Sequence, residues 1–275
     1  MKPIARALTD ATRQLSETSD TARLDAELLM AEALHIDRDR LILSPPDREV
    51  PKRFWKMVER RSRGEPVAYI TGRRAFWNID LHVGPGVLVP RPDSEVLIAS
   101  AIEHFDGTDR PRRILDLGTG PGTLLLAALD IWSQATGVGI DVSRSALSYA
   151  SANARRLGFE RRLKLKLGDW AAGVADQFDL ILCNPPYIAE GVELGPGVRE
   201  YEPNEALFAG ESGLDAYRAL APQLPRLLEK GGLAVIEIGE HQADAVSGLL
   251  TREGLRARVA HDLGERPRAI LLTWV

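Results

Sequence analysis

Residues 114–129 read "ILDLGTGPGTLLLAAL", an apolar run, a glycine-rich break and a second apolar run. The first has the length of a buried strand and the second that of a buried helix. Between them Gly118, Gly120 and Gly122 alternate with Thr119 and Pro121. Glycines let a backbone turn sharply and approach a ligand closely, and the junction of a parallel strand with the next helix is where open α/β sheets take up cofactors. The sequence beyond keeps the same rhythm. Its patterning predicts strands at 112–118, 136–141, 163–169, 178–184 and 232–239 and helices at 121–132, 143–157, 213–229 and 241–253. Two last strands, "ARVAHDL" and "RAILLTWV", close the chain. Strands alternating with helices imply an α/β fold, a Rossmann-like sheet of seven strands covered on both faces. The short "GERP" turn between the last two makes at least one of them antiparallel, so the sheet is mixed.

About 20 residues after the glycine loop, "TGVGID" ends in Asp141, placed to accept hydrogen bonds from both hydroxyls of a ribose. Alone, Asp141 would equally serve as a helix cap, and a G-x-G-x-G loop also fits a plain strand–helix turn or a dinucleotide site. Two details favour S-adenosylmethionine over a dinucleotide. Asp116 precedes the first glycine by two positions, and Pro121 has no N–H to offer a pyrophosphate. A third strand end carries Gly168-Asp169-Trp170. Asp169 can accept from an adenine amino group and Trp170 can pack on the base, against the plainer reading of a turn Asp and a half-buried indole.

The strand "FDLILC" stops at Asn184-Pro185-Pro186-Tyr187. Proline lacks an N–H and restricts its predecessor, so this is a rigid corner at the tip of a core strand.

Composition sets the outer bounds. The chain has 275 residues, 44% hydrophobic and 27% charged, and one cysteine, Cys183. Internal disulfides and cysteine-cluster metal sites are excluded, which suits a reducing cytoplasm. No apolar run approaches the roughly 18 residues of a membrane span. Five histidines, His35, His82, His104, His241 and His261, show no metal spacing. The formal net charge of −4 divides into +2 for residues 1–80 and −6 for residues 81–275, an unfavourable balance for gripping nucleic acid. Residues 1–65 read as a helical bundle with mixed charges on a solvated surface. Residues 66–92 read as a β-hairpin linker, and 93–275 as the catalytic domain, whose first helix takes Asp93 or Ser94 as N-cap.

The succession D-L-G-T-G-x-G, V-G-I-D, G-D-W and N-P-P-Y resembles class I S-adenosylmethionine-dependent methyltransferases that act on amino groups. The stretch "GEPVAYITGRRAFWNIDLHVGPGVLVPRPDSEVLI", residues 64–98, with "REYEPNEALFAGESGLDAYR", residues 199–218, narrows the resemblance to the HemK/PrmC family of release factor glutamine N5-methyltransferases. Pro121 departs from the family's more usual Thr or Ser. The resemblance implies transfer of a methyl group from S-adenosylmethionine to the glutamine amide of the Gly-Gly-Gln motif in class I peptide chain release factors, leaving S-adenosylhomocysteine. By position it assigns Gly118, Thr119, Gly120, Pro121, Gly122, Asp141, Asp169, Trp170 and Asn184 to the cofactor, and Asn184, Pro185, Pro186 and Tyr187 to the substrate.

Residue chemistry agrees. A carboxamide nitrogen is a poor nucleophile because its lone pair is delocalised. The Asn184 side-chain oxygen and the Pro185 carbonyl are two acceptors for its two N–H bonds, and Tyr187 can cover the flat amide. Asn184, Pro185 and Tyr187 are thus the expected catalytic group, with no histidine base and no metal. Phe76, Trp77, Arg91, Pro92, Asp93 and Glu95 either line the mouth or pack. The rivals are a ribosomal-protein glutamine methyltransferase, an adenine-N6 or guanine-N2 nucleic-acid enzyme, and a non-catalytic binding module. The −6 balance opposes the nucleic-acid reading, and the intact Asn-Pro-Pro-Tyr corner opposes the last.

Overall fold

The computed structural model describes residues 3–251 and 254–275, and in it the predicted periodicities become nine strands among the described residues. A two-stranded hairpin comes first, β1 (Arg73–Phe76) and β2 (Ile79–His82). Seven more strands follow: β3 (Arg113–Leu117), β4 (Thr136–Asp141), β5 (Leu163–Leu167), β6 (Phe178–Cys183), β7 (Leu228–Glu237), β8 (Leu255–His261) and β9 (Pro267–Trp274). They form one sheet in the order β5-β4-β3-β6-β7-β9-β8. β3 is parallel to β4 and β6, and β9 is antiparallel to both β7 and β8. The tight turn before β9 accounts for that antiparallel pair.

Strand order reverses across β3: the chain moves outward through β4 and β5, then returns to lay β6 on the other side. Such a switch point opens a crevice beyond the carboxyl ends of the strands. Register sharpens this. Leu117 is level with Ile140 of β4 and with Cys183 of β6, so the next residues, Gly118, Asp141 and Asn184, emerge side by side. All six residues of β6 are buried, as expected of a continuous apolar run covered on both faces. β5, at the sheet edge, exposes Lys164 and Lys166, charges that discourage pairing with another chain.

The chain folds as two compact units. One comprises Met1–Arg73, Val83–Pro85 and Glu193–Glu202, the other Arg74–His82, Gly86–Val192 and Pro203–Val275. The first holds helices Pro3–Leu15, Ala22–Leu34, Arg38–Leu43, Lys52–Ser62 and Val67–Thr71 around Leu15, Leu29, Met30, Phe54 and Val58. Two of its acids leave the solvated surface that the sequence suggested. Asp25 and Glu27 are each 5% exposed, Asp25 pairing with Arg61 at 2.7 Å and Glu27 with Arg23 and Arg38.

Several boundaries differ from the sequence reading. Val67–Thr71, expected in the hairpin, is helical, and Gly72 at φ +73 ends it. The helix expected over 213–229 is two pieces, Asp215–Leu220 and Leu224–Leu227, because Pro222 and Pro225 each remove an N–H. β7 starts at Leu228, with a register shift opposite Phe178/Leu180 that absorbs its glycines. The helix expected over 241–253 spans Ala243–Leu250; residues 252 and 253 lie outside the described residues. No described helix is long and apolar enough to cross a membrane.

Asp179 anchors the entry to β3. Its side chain is nearly buried, and Oδ2 accepts the N–H groups of Arg112 and Arg113, both at 2.9 Å. Asp179→Ala orphans two donors and is expected to cost on the order of 2 kcal/mol in urea unfolding, with cofactor affinity unchanged. An unaltered midpoint would show that the anchor is dispensable.

Candidate active site

The carboxyl ends of β3, β4 and β6 border a cleft of about 250 Å³. Its glycine loop is fastened from two sides. The N–H groups of Gly118 and Thr119 both donate to the Ile140 carbonyl, at 2.9 and 3.0 Å. The Gly120 N–H donates to Asp141 Oδ2 at 2.8 Å, while Asp141 Oδ1 accepts from the Ser143 N–H at 2.8 Å. Asp141 therefore ties the loop to β4 as well as facing the cleft, and burial raises its pKa despite these bonds. Gly118 and Gly120 have φ +70 and +56. A Cβ on Gly118 would stand 3.9 Å from both the Asn184 carbonyl oxygen and Trp170 Cζ3, whereas one on Gly120 would meet nothing within 4 Å.

A clamp that the sequence did not reveal holds the next residue. Asn153, fully buried on the helix Arg144–Leu157, donates from Nδ2 to the Pro121 carbonyl at 2.9 Å and bonds both backbone groups of His82.

Asp116 lies beneath the loop, 1% exposed. Thr119 Oγ1 donates to its Oδ2 at 2.6 Å, and Oδ1 has no hydrogen-bond partner among the described residues. Burial pushes its carboxyl up to about 7; the Thr119 bond opposes this and Asp141 adds to it. Asp116, Asp141, Asp169 and Glu205 line the cleft with Arg91, a field that suits a cationic ligand and repels a pyrophosphate.

The cleft's other wall is the corner after β6. Asn184 and Pro186 line it. Pro185 and Tyr187 are not among its lining residues. Tyr187 turns inward, its hydroxyl donating to Glu237 Oε1 at 3.3 Å and its carbonyl accepting from Gln242 Nε2 at 3.0 Å. Asn184 Nδ2 donates to Ser94 Oγ at 3.1 Å. Ser94 makes no side-chain cap bond for the helix Glu95–Phe105; its hydroxyl faces the Glu237 carboxyl and favours its ionised form. Asp93, the other proposed cap, pairs with Arg268 at 3.1 Å.

Glu237, the last residue of β7, is 1% exposed. Burial pushes its carboxyl up to about 7, opposed by Ser94, Arg268 and Tyr187. Between the two buried acids sits Cys183, whose thiol is raised well above its usual range by burial and then by Asp116 and Glu237. Of the residues weighed for the mouth, Arg91 lines the cleft. Phe76 is core, and Glu95 Oε1 holds the Trp77 N–H at 2.9 Å.

These residues fit S-adenosylmethionine. Space opens at Gly120, Asp141 keeps lone pairs for hydroxyls, Trp170 stands against the glycine loop and the acidic lining complements a sulfonium.

Comparisons with known proteins agree. A family model described as the PrmC N-terminal domain matches residues 6–72, and one described as a methyltransferase domain matches 109–254. The chain is 42% identical to the release factor glutamine methyltransferase of Rhodospirillum rubrum over 90% of its own length and 78% of that protein's. It is 39% identical to that of Caulobacter vibrioides over 98% and 95%. Among solved structures, the ribosomal protein L11 methylase of Lactobacillus delbrueckii subsp. bulgaricus aligns with TM-score 0.52 at 20% identity, covering 70% of this chain and 84% of that one. The 16S rRNA N2 G1207 methyltransferase of Thermus thermophilus aligns with TM-score 0.53 at 18% identity, covering 74% and 49%. At such identities these two speak for the fold.

The folded value for Asp116 lies above its ordinary 3.8, so the folded state loses stability relative to the unfolded one as pH rises from about 4 to about 7. Asp116→Asn is expected to raise the Tm of cofactor-free protein, slightly at pH 4, more toward pH 7 and constantly above. A gain independent of pH would contradict the buried charge.

Proposed function

The chain belongs to the family of release factor glutamine methyltransferases, and from that premise we propose that it methylates the glutamine amide nitrogen, N5, in the Gly-Gly-Gln motif of class I peptide chain release factors. S-Adenosylmethionine, when bound, supplies an electrophilic methyl group on a sulfonium and leaves S-adenosylhomocysteine. Gly118, Thr119, Gly120, Pro121 and Gly122 would hold it along the loop, Asp141 at its ribose, Asp169 and Trp170 at its adenine, and Asn184 across the cleft.

The observation that carries this reading is the state of Asn184. With one Nδ2 hydrogen given to Ser94, Asn184 keeps Oδ1 as an acceptor for the cleft. Asn184 Oδ1 and the carbonyl of Pro185, which lies in the chain between the lining residues Asn184 and Pro186, are the two acceptors in this reading for the N–H bonds of the substrate amide, which leaves the remaining lobe of its nitrogen free for methyl transfer. Pro185 and Pro186 keep the acceptors rigid, and the Tyr187 hydroxyl bond to Glu237 fixes that ring beside them. The residues work by positioning and electrostatics. The amide proton becomes acidic only as the nitrogen is methylated, so no strong base is needed beforehand.

The helical unit is the docking site for the body of the release factor in this reading. Leu43 is 84% exposed, Ile42 47% and Trp55 40%, apolar groups offered to a protein. The reading carries a cytoplasmic location with it, which the single buried cysteine suits.

Labelled S-adenosylmethionine incubated with purified release factor, ribosomal protein or nucleic acid is expected to mark the release factor glutamine. Label on another of these, with none on release factor, overturns the proposal. Asn184→Ala is expected to leave cofactor Kd within about twofold while lowering kcat on the order of 100-fold or more; parallel loss of both would contradict its role. Leu43→Ser with Trp55→Ala should raise KM for intact release factor and leave KM for a Gly-Gly-Gln peptide unchanged. Equal KM shifts would remove the docking role.

A further inference from the structure

A carboxamide has nearly the same shape at both ends and opposite chemistry, one end accepting hydrogen bonds and the other donating them. If Asn184 is to accept from a substrate N–H, something must decide which end it shows. Ser94, the partner of Asn184 Nδ2, is 2% exposed, so bulk water does not set the direction of its hydroxyl. That hydroxyl faces the Glu237 carboxyl, which is equally buried, and favours its ionised form. An ionised carboxylate can only accept. Ser94 must then commit its one proton to Glu237, its oxygen is left to accept, and Asn184 can satisfy that oxygen only with its NH₂ end.

We infer that Glu237, acting through Ser94, is a positioning residue that turns the Asn184 oxygen toward the substrate. The same carboxyl takes the Tyr187 hydroxyl, so it holds both ends of the Asn-Pro-Pro-Tyr corner. The inference rests on the reading of Asn184 as the substrate's acceptor.

Glu237 keeps this polarity only while ionised. Arg268, Tyr187 and Ser94 favour the carboxylate; burial and Asp93 oppose it. Cys183 and Tyr217 also face it, Asp262 shares Arg268 at 3.0 Å, and Asp116 acts on Cys183 from the other side. Once protonated, Glu237 carries an O–H that can donate to Ser94. The Ser94 proton can then pass to Asn184 Oδ1, and the amide turns its NH₂ toward a substrate that also presents NH₂. Donor then faces donor, and the acceptor is lost.

The test uses the full-length enzyme, intact release factor and labelled S-adenosylmethionine at saturation, between pH 5.5 and 9. Ser94→Ala and Glu237→Met are each expected to lower kcat about 10- to 100-fold, with cofactor Kd within about twofold. The double variant should be no worse than the poorer single one, since the two act in series. Ser94→Thr, which restores the hydroxyl, should recover most of the loss. Wild-type kcat should fall as pH drops through about 7, and this limb should vanish in Ser94→Ala.

Unchanged kcat in Ser94→Ala, losses that multiply in the double variant, a threonine variant as poor as alanine, or an acid limb that survives in Ser94→Ala would each overturn the relay. Asp116, beneath the cofactor loop, would act on cofactor Kd rather than on kcat at saturation, so its titration is separable. If Glu237→Met fails to fold, the two Ser94 variants carry the test alone. Wild type that leaves release factor unlabelled overturns the function and the relay with it. Wild type that labels release factor, beside Ser94→Ala at full kcat, overturns the relay only.

Discussion

Three parallel strands that end level with one another are the constraint on which the site depends. Leu117 is in register with both Ile140 and Cys183, and ladder hydrogen bonds fix that alignment more tightly than any loop could. Gly118, Asp141 and Asn184 consequently leave the sheet together, each on a different strand. One side of the crevice is a backbone cradle, another a carboxylate and the third a rigid amide corner. A one-residue slip of β6 would turn every side chain on it to the opposite face, and its six buried residues leave no face that tolerates the exchange.

The catalytic unit was legible because its signals are local. Apolar runs of strand length alternate with runs of helix length, and the glycine loop, Asp141 and the Asn-Pro-Pro-Tyr corner each occupy a few consecutive residues. Where local signals compete, the fold departs from them. Val67–Thr71 carries β-formers yet is helical, and Pro222 and Pro225 broke an otherwise plausible helix. The residues behind the site had no local signature. Ser94 looked like a cap and serves Asn184, 90 positions away. Asn153 is one polar residue on a helix and clamps Pro121. Glu237 ends an ordinary apolar strand, and only the folded chain brings it to Ser94 and Tyr187.

The same folding places carboxylates where water is scarce. Asp116 and Glu237 are each 1% exposed and held near neutrality rather than far below it. Burying a charge is costly unless it is paired and hydrogen-bonded, and here the pairing is incomplete: one oxygen of each has no partner among the described residues. Such groups weaken a fold and are tolerated where they serve a site. Asp116 braces the loop through Thr119, and Glu237 braces the opposite wall.

Cys183 lies between those two acids, fully buried, and both of them, added to burial, hold its sulfur in the thiol form. The thiolate is what alkylating reagents and oxidants attack, so the native protein offers them no reactive sulfur. As the chain's only cysteine, it becomes reachable when β6 leaves the sheet. Modification of that one atom therefore measures how often the central strand, and with it the Asn-Pro-Pro-Tyr corner, comes undone: the molecule carries its own clock for opening of the active-site core.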